Sequence, residues 1–246
     1  MTPLAYLQAV RRVLDGLEHT QLPAVEAAAD LAAQALLNGG ALFCHVVGHG
    51  NESDWLNRAG GLAALQRFTF SFTVTAPVAE CLKSRPRPAP VEERLEAARL
   101  ALRSGNVRPG DVLVLSSVSG RTRDPVDLAL ACREYGVKTI GFTSRAYSGQ
   151  VESLHPSGKK LADVVDVAVD NLAPFGDAAV AVPGYDQDAL PVSGVSMVVL
   201  GWMIWGRVME KTAATGRPAS VFMSVNRPGG QEHYQKTLAR YHEKGF

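Results

Sequence analysis

Apolar residues recur with two different spacings along this chain. In residues 3–19 and 22–37 they return at helical intervals, which predicts two amphipathic helices ahead of the first strand. An uninterrupted apolar run then appears at 112–115, and such a run is typical of a strand that is covered on both faces. Residues 41–47 and 137–143 are predicted as further strands. Helical spacing returns between and after these segments, at 91–104, 193–213 and 231–244. This order of elements predicts an α/β fold built on a parallel sheet.

Further strands are predicted from less regular patterns. Residues 68–75 alternate aromatic or aliphatic side chains with hydroxyl side chains, and residues 164–170 contain another short apolar run. Shorter candidates are 178–182 and 220–225. We expect a single domain over residues 1–246, made of the helix pair (1–38), an α/β core (39–214) and a C-terminal extension (215–246).

The chemistry of the chain changes abruptly after Leu115. Hydroxyl residues, a glycine and an arginine follow in the sequence S-S-V-S-G-R-T, residues 116–122. A helix is predicted to begin at once, with Asp124 as its N-cap and Pro125 at its first position. Free N–H groups and the positive end of a helix dipole favour an anion. The turn therefore predicts a phosphate site, the alternative being a serine-rich turn without a ligand.

Two other predicted strands also end in small polar residues. The first is followed by G-H-G-N-E-S, residues 48–53, with a helix expected to begin near Ser53 or Asp54, and another ends at Thr143 and Ser144. The carboxyl ends of strands share one edge of an open α/β sheet, so we expect a ligand site there. The first turn is not a dinucleotide fingerprint, because Ser53 occupies the place of its third glycine.

Composition narrows the function classes. The 246 residues carry 25 basic and 24 acidic side chains, so a net charge of +1 provides no bulk attraction for nucleic acid or an anionic membrane. Three scattered cysteines form no zinc or disulfide pattern and favour a reducing, cytoplasmic compartment. The uncharged segment 189–206 contains proline, serine and glycine, which favours a buried helix over a membrane span. Neither a metal nor a cofactor is expected, since no metal-ligand spacing occurs.

The motifs resemble those of a known family. S-V-S-G-R-T at 117–122 is similar to the S-x-S-G-x-T phosphate loop of sugar isomerase (SIS) domains, G-H-G at 48–50 resembles their first glycine loop, and Thr143-Ser144 matches their next strand end. Four further stretches resemble a subgroup of stand-alone bacterial SIS proteins: R-A-G-G-L (58–62), H-P-S-G-K-K-L (155–161), D-N-L-A-P-F-G-D (170–177) and S-V-N-R-P-G-G (224–230). The S-G-R-T form also occurs in the related N-acetylmuramic acid 6-phosphate etherases.

The resemblance implies a three-layer α/β/α sandwich around a five-stranded parallel sheet, assembled as a homodimer or homotetramer. It also implies that a phosphorylated sugar is the ligand, with its phosphate against Ser117, Ser119 and Thr122. The implied binding residues are Gly48, Gly50, Asn51, Ser53, Ser117, Ser119, Gly120, Arg121, Thr122, Thr143 and Ser144. The first loop departs from the family pattern G-x-G-x-S-H, because Glu52 stands at the serine position.

Sugar-phosphate isomerisation, or elimination in a related lyase, requires a carboxylate base near the phosphate. Glu93 is the first candidate and Glu52 the second, while His155 is a candidate for ring opening, as are His49 and His233. Each of these residues also has a purely structural explanation, because acidic residues favour the start of a helix and histidines are often structural. A non-catalytic phosphosugar sensor is the alternative function, and a dinucleotide oxidoreductase is disfavoured by the missing glycine.

Overall fold

The computed structural model describes residues 1–45, 54–86 and 92–246. Helices in these ranges are α1 (Thr2–Thr20), α2 (Leu22–Leu37), α3 (Glu93–Ser104), α4 (Arg123–Tyr135), α5 (Arg145–Ser148), α6 (Leu161–Val164), α7 (Ser193–Ala214) and α8 (Gly230–Lys244). Strands are β1 (Leu42–Cys44), β2 (Leu65–Arg67), β3 (Val112–Ser116), β4 (Lys138–Thr143) and β5 (Val167–Asp170). Both predicted N-terminal helices and the helices at 91–104, 193–213 and 231–244 are confirmed within two residues.

The five strands form one parallel sheet in the order β2-β1-β3-β4-β5. β3 lies at the centre and all of its residues are buried, as expected for an uninterrupted apolar run. Its register places Val114 beside Cys44 on one side and beside Ile140 on the other. The predicted five-stranded parallel α/β architecture is therefore confirmed.

Helices cover both faces of this sheet. Alternate side chains of a strand point to opposite faces. Val112 and Val114 accordingly pack in a core that includes residues of α1, α2 and α7. Leu113 and Leu115 pack in a second core with residues of α3, α4 and α6. The central strand thus joins the two apolar layers of a three-layer sandwich.

The patterns misplaced several smaller elements. The strand predicted at 68–75 is wrong: β2 ends at Arg67, and Phe72 and Val74 beyond it are about 70% exposed. Alternation reports which side chains share a face, but it does not ensure that a second strand is available for pairing. The candidates at 178–182 and 220–225 contribute only the single antiparallel bridges Val180–Ala189 and Leu62–Val221.

Two element boundaries also differ from expectation. α4 begins at Arg123 and Thr122 precedes it, so Asp124 and Pro125 lie inside the first turn. A proline is tolerated there because the first N–H groups of a helix have no partner within the helix. Residues 55–57, where a helix was expected to continue, form a turn in which Asn57 has a positive φ of 48°.

No helix in the described part of the chain is long and apolar enough to cross a membrane. The uncharged segment 189–206 instead supplies much of α7, whose buried residues include Leu200, Ile204 and Trp205. This agrees with the expectation of a buried helix.

The close packing of α7 depends on a glycine. Trp55 is fully buried, and a Cβ added at Gly201 would lie only 2.0 Å from the Trp55 ring. A Cβ at Gly206, one and a half turns later in the same helix, would meet nothing within 4 Å. The two glycines therefore provide a matched comparison between a crowded and an open position.

We expect Gly201→Ala to lower the free energy of unfolding by about 3 kcal/mol or more, because the buried ring cannot move without disturbing the core. Gly206→Ala should instead raise it by about 0.5–1 kcal/mol, since alanine loses less entropy than glycine in a helix. Chemical denaturation of both variants tests this. Equal stability of the two variants would contradict the packing described for Trp55.

Candidate functional site

The strand order places a crevice between β1 and β3. The chain passes from β1 to β2 on one side and from β3 to β4 on the other, so the direction of the connections reverses between β1 and β3. Ligands of open α/β sheets bind at the carboxyl ends of the strands beside such a reversal. Residues 117–122, called here the hydroxyl loop, follow β3 at this position.

The hydroxyl loop is a tight backbone turn. Its first N–H, from Ser117, donates to the Phe142 carbonyl at 3.0 Å and so extends the pairing with β4. The Gly120 N–H then donates to the Ser117 carbonyl at 2.9 Å, and Gly120 has a φ of +66°. The hydroxyls of Ser117 and Thr122 lie 3.1 Å apart. The turn thus gathers hydroxyl groups directly before α4.

Thr143 and Ser144 support this turn from the neighbouring strand end. The Thr143 hydroxyl and the Ser144 N–H both donate to the Val118 carbonyl, at 3.3 and 2.8 Å. The Ser144 hydroxyl donates to the Ala173 carbonyl at 2.6 Å and accepts from the Tyr147 N–H at 3.0 Å. Both side chains are buried, so their contacts are with the protein backbone. The structure brings them to the loop as supports beneath it.

A cleft of about 840 Å³ opens over the hydroxyl loop. The loop and the first turn of α4 form one wall, and residues 176–178 and 190–197 form the opposite wall. Its lining is Ser116, Ser117, Val118, Ser119, Thr122, Asp124, Pro125, Tyr147, Gly176, Asp177, Ala178, Leu190, Pro191, Ser193, Gly194 and Met197. The loop wall offers hydroxyl and peptide donors, whereas much of the opposite wall is apolar.

Both carboxylates in this lining already have partners. Asp124 forms an ion pair with Arg94 of α3. Asp177 accepts hydrogen bonds from the Val192 and Ser193 N–H groups, at 3.2 and 3.0 Å, and from the Ser193 hydroxyl, so it caps the start of α7. Among the described lining residues there is no lysine, arginine or histidine. An anion in this cleft would therefore be held by hydroxyls, peptide N–H groups and the dipole of α4.

Glu93 is not part of the described lining of the cleft. It is the exposed first residue of α3. Its neighbours on both sides are tied to the start of α4, Glu92 to Arg123 at 2.6 Å and Arg94 to Asp124. These two ion pairs hold the beginning of α3 next to the hydroxyl loop. The second predicted carboxylate, Glu52, falls outside the described residues, as do Gly48, His49, Gly50, Asn51 and Ser53.

His155 is not brought into the cleft. Its Nε2 lies 3.0 Å from Asp127 Oδ1 on α4 and its Nδ1 lies 2.7 Å from the Ser157 hydroxyl. The side chains of His155 and Asp127 are only 8% and 2% exposed. Because both ring nitrogens have partners within the protein, the geometry gives His155 the role of fastening its loop to α4. His233 likewise contacts Thr237 on its own helix and lies outside the lining.

Arg121 contributes through its backbone. Its carbonyl accepts from the Leu154 N–H, and the preceding Gly120 carbonyl accepts from the Leu161 N–H, both at 2.9 Å. Its side chain is not among the residues that line the cleft. The two hydrogen bonds anchor the hydroxyl loop to the segment that carries H-P-S-G-K-K-L.

The sequence patterns missed two residues of interest. Asp177 lies in D-N-L-A-P-F-G-D, but its partner Ser193 is 16 positions away and no local signal connects them. His45 follows β1 directly, and its Nδ1 lies 2.8 Å from the Phe68 carbonyl. Burial lowers the pKa of His45 below its ordinary value, and the Phe68 hydrogen bond and the Asp124 charge only partly oppose this. Its position at the end of a predicted strand is the sequence feature that could have identified His45 as a candidate.

No group of three or more histidine, cysteine, aspartate or glutamate side chains within the described ranges is arranged to hold a metal ion.

We expect Gly120→Ala to disrupt the hydroxyl loop. A Cβ there would lie 2.8 Å from Thr143 Oγ1 and would also require a positive φ. Gly158 has a similar φ of +71° with nothing within 4 Å, so Gly158→Ala isolates the conformational cost of about 1–2 kcal/mol. Gly120→Ala should lose a further ~1–3 kcal/mol in chemical denaturation from overpacking. It should also lose sulfate binding in a calorimetric titration; retained binding would contradict a role for this turn in holding anions.

Comparisons with known proteins agree with this geometry. A family model described as SIS domain matches residues 5–144. A UPF0309 protein of Streptomyces coelicolor is 33% identical over 98% of this chain and 94% of its own length, and one of Shouchella clausii is 32% identical over 87% of this chain and 86% of its own.

Solved structures with the same fold are more distant in sequence. A Bacteroides fragilis protein described as a putative phosphosugar isomerase involved in capsule formation aligns over 95% of this chain and 92% of its own length, with 21% identity and a TM-score of 0.53. The phosphoheptose isomerase of Neisseria gonorrhoeae covers 82% of this chain and 94% of its own, with 17% identity and a TM-score of 0.50. At these identities the likeness concerns the fold.

Proposed function

The chain belongs to the SIS domain family, and on this basis we propose that it binds a phosphorylated sugar in the cleft over the hydroxyl loop. We further propose that it acts on that ligand as an aldose–ketose isomerase or as a related amino-sugar phosphate lyase. The observation that carries the proposal is the loop itself, in which hydroxyls and the free end of α4 converge at the reversal point of the sheet.

The phosphate end of the ligand fits the loop wall. A phosphate monoester has acceptor oxygens only, and the Ser117, Ser119 and Thr122 hydroxyls together with the first N–H groups of α4 are donors. The remaining wall, with Leu190, Pro191 and Met197, would lie against the rest of the ligand. The volume of about 840 Å³ falls within the range of small-molecule sites.

The chemistry requires a base that the described lining does not supply. In isomerisation a base removes the proton from the carbon beside the carbonyl and returns it to the former carbonyl carbon, while a second proton passes from the hydroxyl oxygen on the first carbon to the carbonyl oxygen, so no atoms are lost. In the lyase a carboxylate removes the corresponding proton while the departing oxygen is protonated. We assign the base to Glu93, because two ion pairs hold its position beside the cleft and it has no ion-pair partner in the described structure. Glu52 is the second candidate.

One observation favours a non-catalytic alternative. Asp124 and Asp177, the carboxylates that line the described cleft, are both engaged in structural contacts. A cleft of this kind can hold a phosphosugar without converting it, as a sensor or partner module would. If the protein does convert its ligand, a second copy of the chain, in the homodimer or homotetramer that we propose, would be another source of catalytic groups.

Binding is tested by calorimetric and thermal-shift titrations with hexose, pentose, heptose and N-acetylhexosamine phosphates, each beside its unphosphorylated sugar. A ligand present at 100 times its dissociation constant should stabilise the protein by about 2.7 kcal/mol. Ser117→Ala should weaken binding roughly 10- to 100-fold, because it removes a hydrogen bond to a charged group. Ser84→Ala, at an exposed hydroxyl outside the site, should leave binding unchanged. A ligand preference that ignores the phosphate would contradict the proposal.

Catalysis is tested by Glu93→Gln, assayed with whichever phosphosugar binds. We expect turnover to be abolished and binding to be kept, since the amide preserves shape but cannot accept the proton. Glu96→Gln is the matched control, because Glu96 is an exposed acid in the same helical turn and pairs with Arg99. Unchanged turnover in Glu93→Gln would remove Glu93 from the mechanism. Binding without turnover in the unmodified protein would favour the sensor.

A further inference from the structure

His45 directly follows β1, which pairs with β3, the strand that leads into the hydroxyl loop. Its N–H donates to the Val114 carbonyl at 2.9 Å, which continues the β1–β3 pairing by one residue. In that register His45 stands opposite Leu115, two positions before Ser117. With a rise of about 3.3 Å per residue and strands about 4.8 Å apart, the Cα atoms of His45 and Ser117 are roughly 8 Å from each other.

The side chain of His45 is on the same face of the sheet as α4. Leu42 and Cys44 pack in the core with α2 and α7, whereas Phe43 packs against the core with α3 and α4. Because side chains alternate along a strand, His45 shares the face of Phe43. Its ring stacks on Phe70 with centroids 5.5 Å apart.

The tautomer of this histidine follows from its contact with Phe68. A carbonyl oxygen can only accept a hydrogen bond, so the contact at 2.8 Å requires a proton on Nδ1. In the neutral ring Nε2 then carries the lone pair, and no residue of the described structure hydrogen-bonds to it. His45 can therefore take up a proton on Nε2 without breaking its contact with Phe68.

A proton on Nε2 would place a positive charge near a cleft whose described lining has none. A phosphate monoester brings close to two negative charges. The lining described for the cleft contains two carboxylates and no cationic side chain. Arg94 and Arg123, the nearest arginines on α3 and α4, are paired with Asp124 and Glu92.

We propose that His45, which lies outside the described lining of the cleft, assists anion binding through its charge: its imidazole takes up a proton when a dianion is held at the start of α4. This inference rests on the proposed function, because it needs an anion at the hydroxyl loop. In the free protein burial lowers the pKa of His45 and so favours its neutral form. The charge of Asp124, which lines the cleft, already acts to raise the pKa of His45. A dianion in the same cleft acts in the same direction and more strongly.

Asp124 at the start of α4 is the charged group that acts on the pKa of His45, and it is paired with Arg94 of α3. On β2, Arg67 stands opposite Cys44, the residue before His45. Carboxylates and guanidinium groups generally titrate outside the range between pH 5.5 and pH 8, whereas the ordinary pKa of histidine is about 6.5. A pH dependence of dianion binding within that range therefore reports on a histidine.

The sign of the effect follows from linkage. Bound dianion raises the pKa of His45, so affinity is greatest at a pH below the pKa of the free protein and falls as the pH rises through the pKa of the complex. Phosphate esters are unsuitable for this measurement because their own second pKa is about 6. Sulfate remains a dianion throughout and is the probe we choose.

The experiment is a calorimetric titration of the full chain with sulfate at about pH 5.5 and about pH 8, on either side of the ordinary histidine pKa. We expect binding to be about 3- to 10-fold tighter at the lower pH, which corresponds to a pKa change of about 0.5–1. Titrations near pH 7 in two buffers of different ionisation enthalpy should show net proton uptake on binding. This second measurement needs no variant.

His45→Asn should remove both the pH dependence and the proton uptake, since asparagine can keep the hydrogen bond to Phe68 but does not titrate. His242→Asn, at an exposed histidine of α8, is the matched control and should behave like the unmodified protein. Proton uptake that persists in His45→Asn, or that is absent from the unmodified protein, overturns the inference. If Ser117→Ala weakens sulfate binding while His45→Asn changes nothing, the anion site stands and the His45 inference falls. If sulfate does not bind, or binds equally to Ser117→Ala, both fall.

Discussion

The backbone turn at Gly120 is the constraint on which the candidate site depends. Its positive φ reverses the chain between β3 and α4 in direct contact with Thr143 and Ser148. Hydrogen bonds to the carbonyls of Val118, Gly120 and Arg121 then fasten the turn to β4 and to the segment before α6. Because the loop is held through its carbonyls, its hydroxyls and the first N–H groups of α4 are not needed to hold it in place. The loop is thus ordered before a ligand binds, and binding loses little conformational entropy there.

The described lining of the proposed anion site contains two carboxylates and no cationic side chain. The ion pairs Glu92–Arg123 and Arg94–Asp124 join the starts of α3 and α4, and in doing so they pair two arginines close to the loop. Recognition of an anion is left to neutral donors and to the helix dipole, whose strength does not depend on pH. The proton uptake that we propose for His45 would add positive charge when an anion arrives.

The parts of this site that local sequence could predict are those formed by adjacent residues. The run from Val112 to Thr122 shows a buried strand followed by hydroxyls, and the structure has that order. The start of α4 was misplaced because Pro125 fits anywhere in a first helical turn. For Thr143 and Ser144, residue type reveals a capacity for hydrogen bonding but not the partner, which proved to be backbone. The contact between His45 and Phe68 joins two strands, and no local pattern reports it.

The residues that we propose for phosphate binding and the carboxylate that we propose for proton transfer lie on different elements of the fold. Groups that would hold a phosphate lie on β3, the hydroxyl loop and α4, and their positions are fixed by the sheet. The described carboxylates in the cleft are paired with Arg94 and with the start of α7, and the proton transfer that we propose is therefore given to a group outside this lining, Glu93. A fold with this division can keep its ligand site while gaining or losing a reaction through residues on other elements. That is why phosphosugar binding and catalysis require separate measurements in this protein.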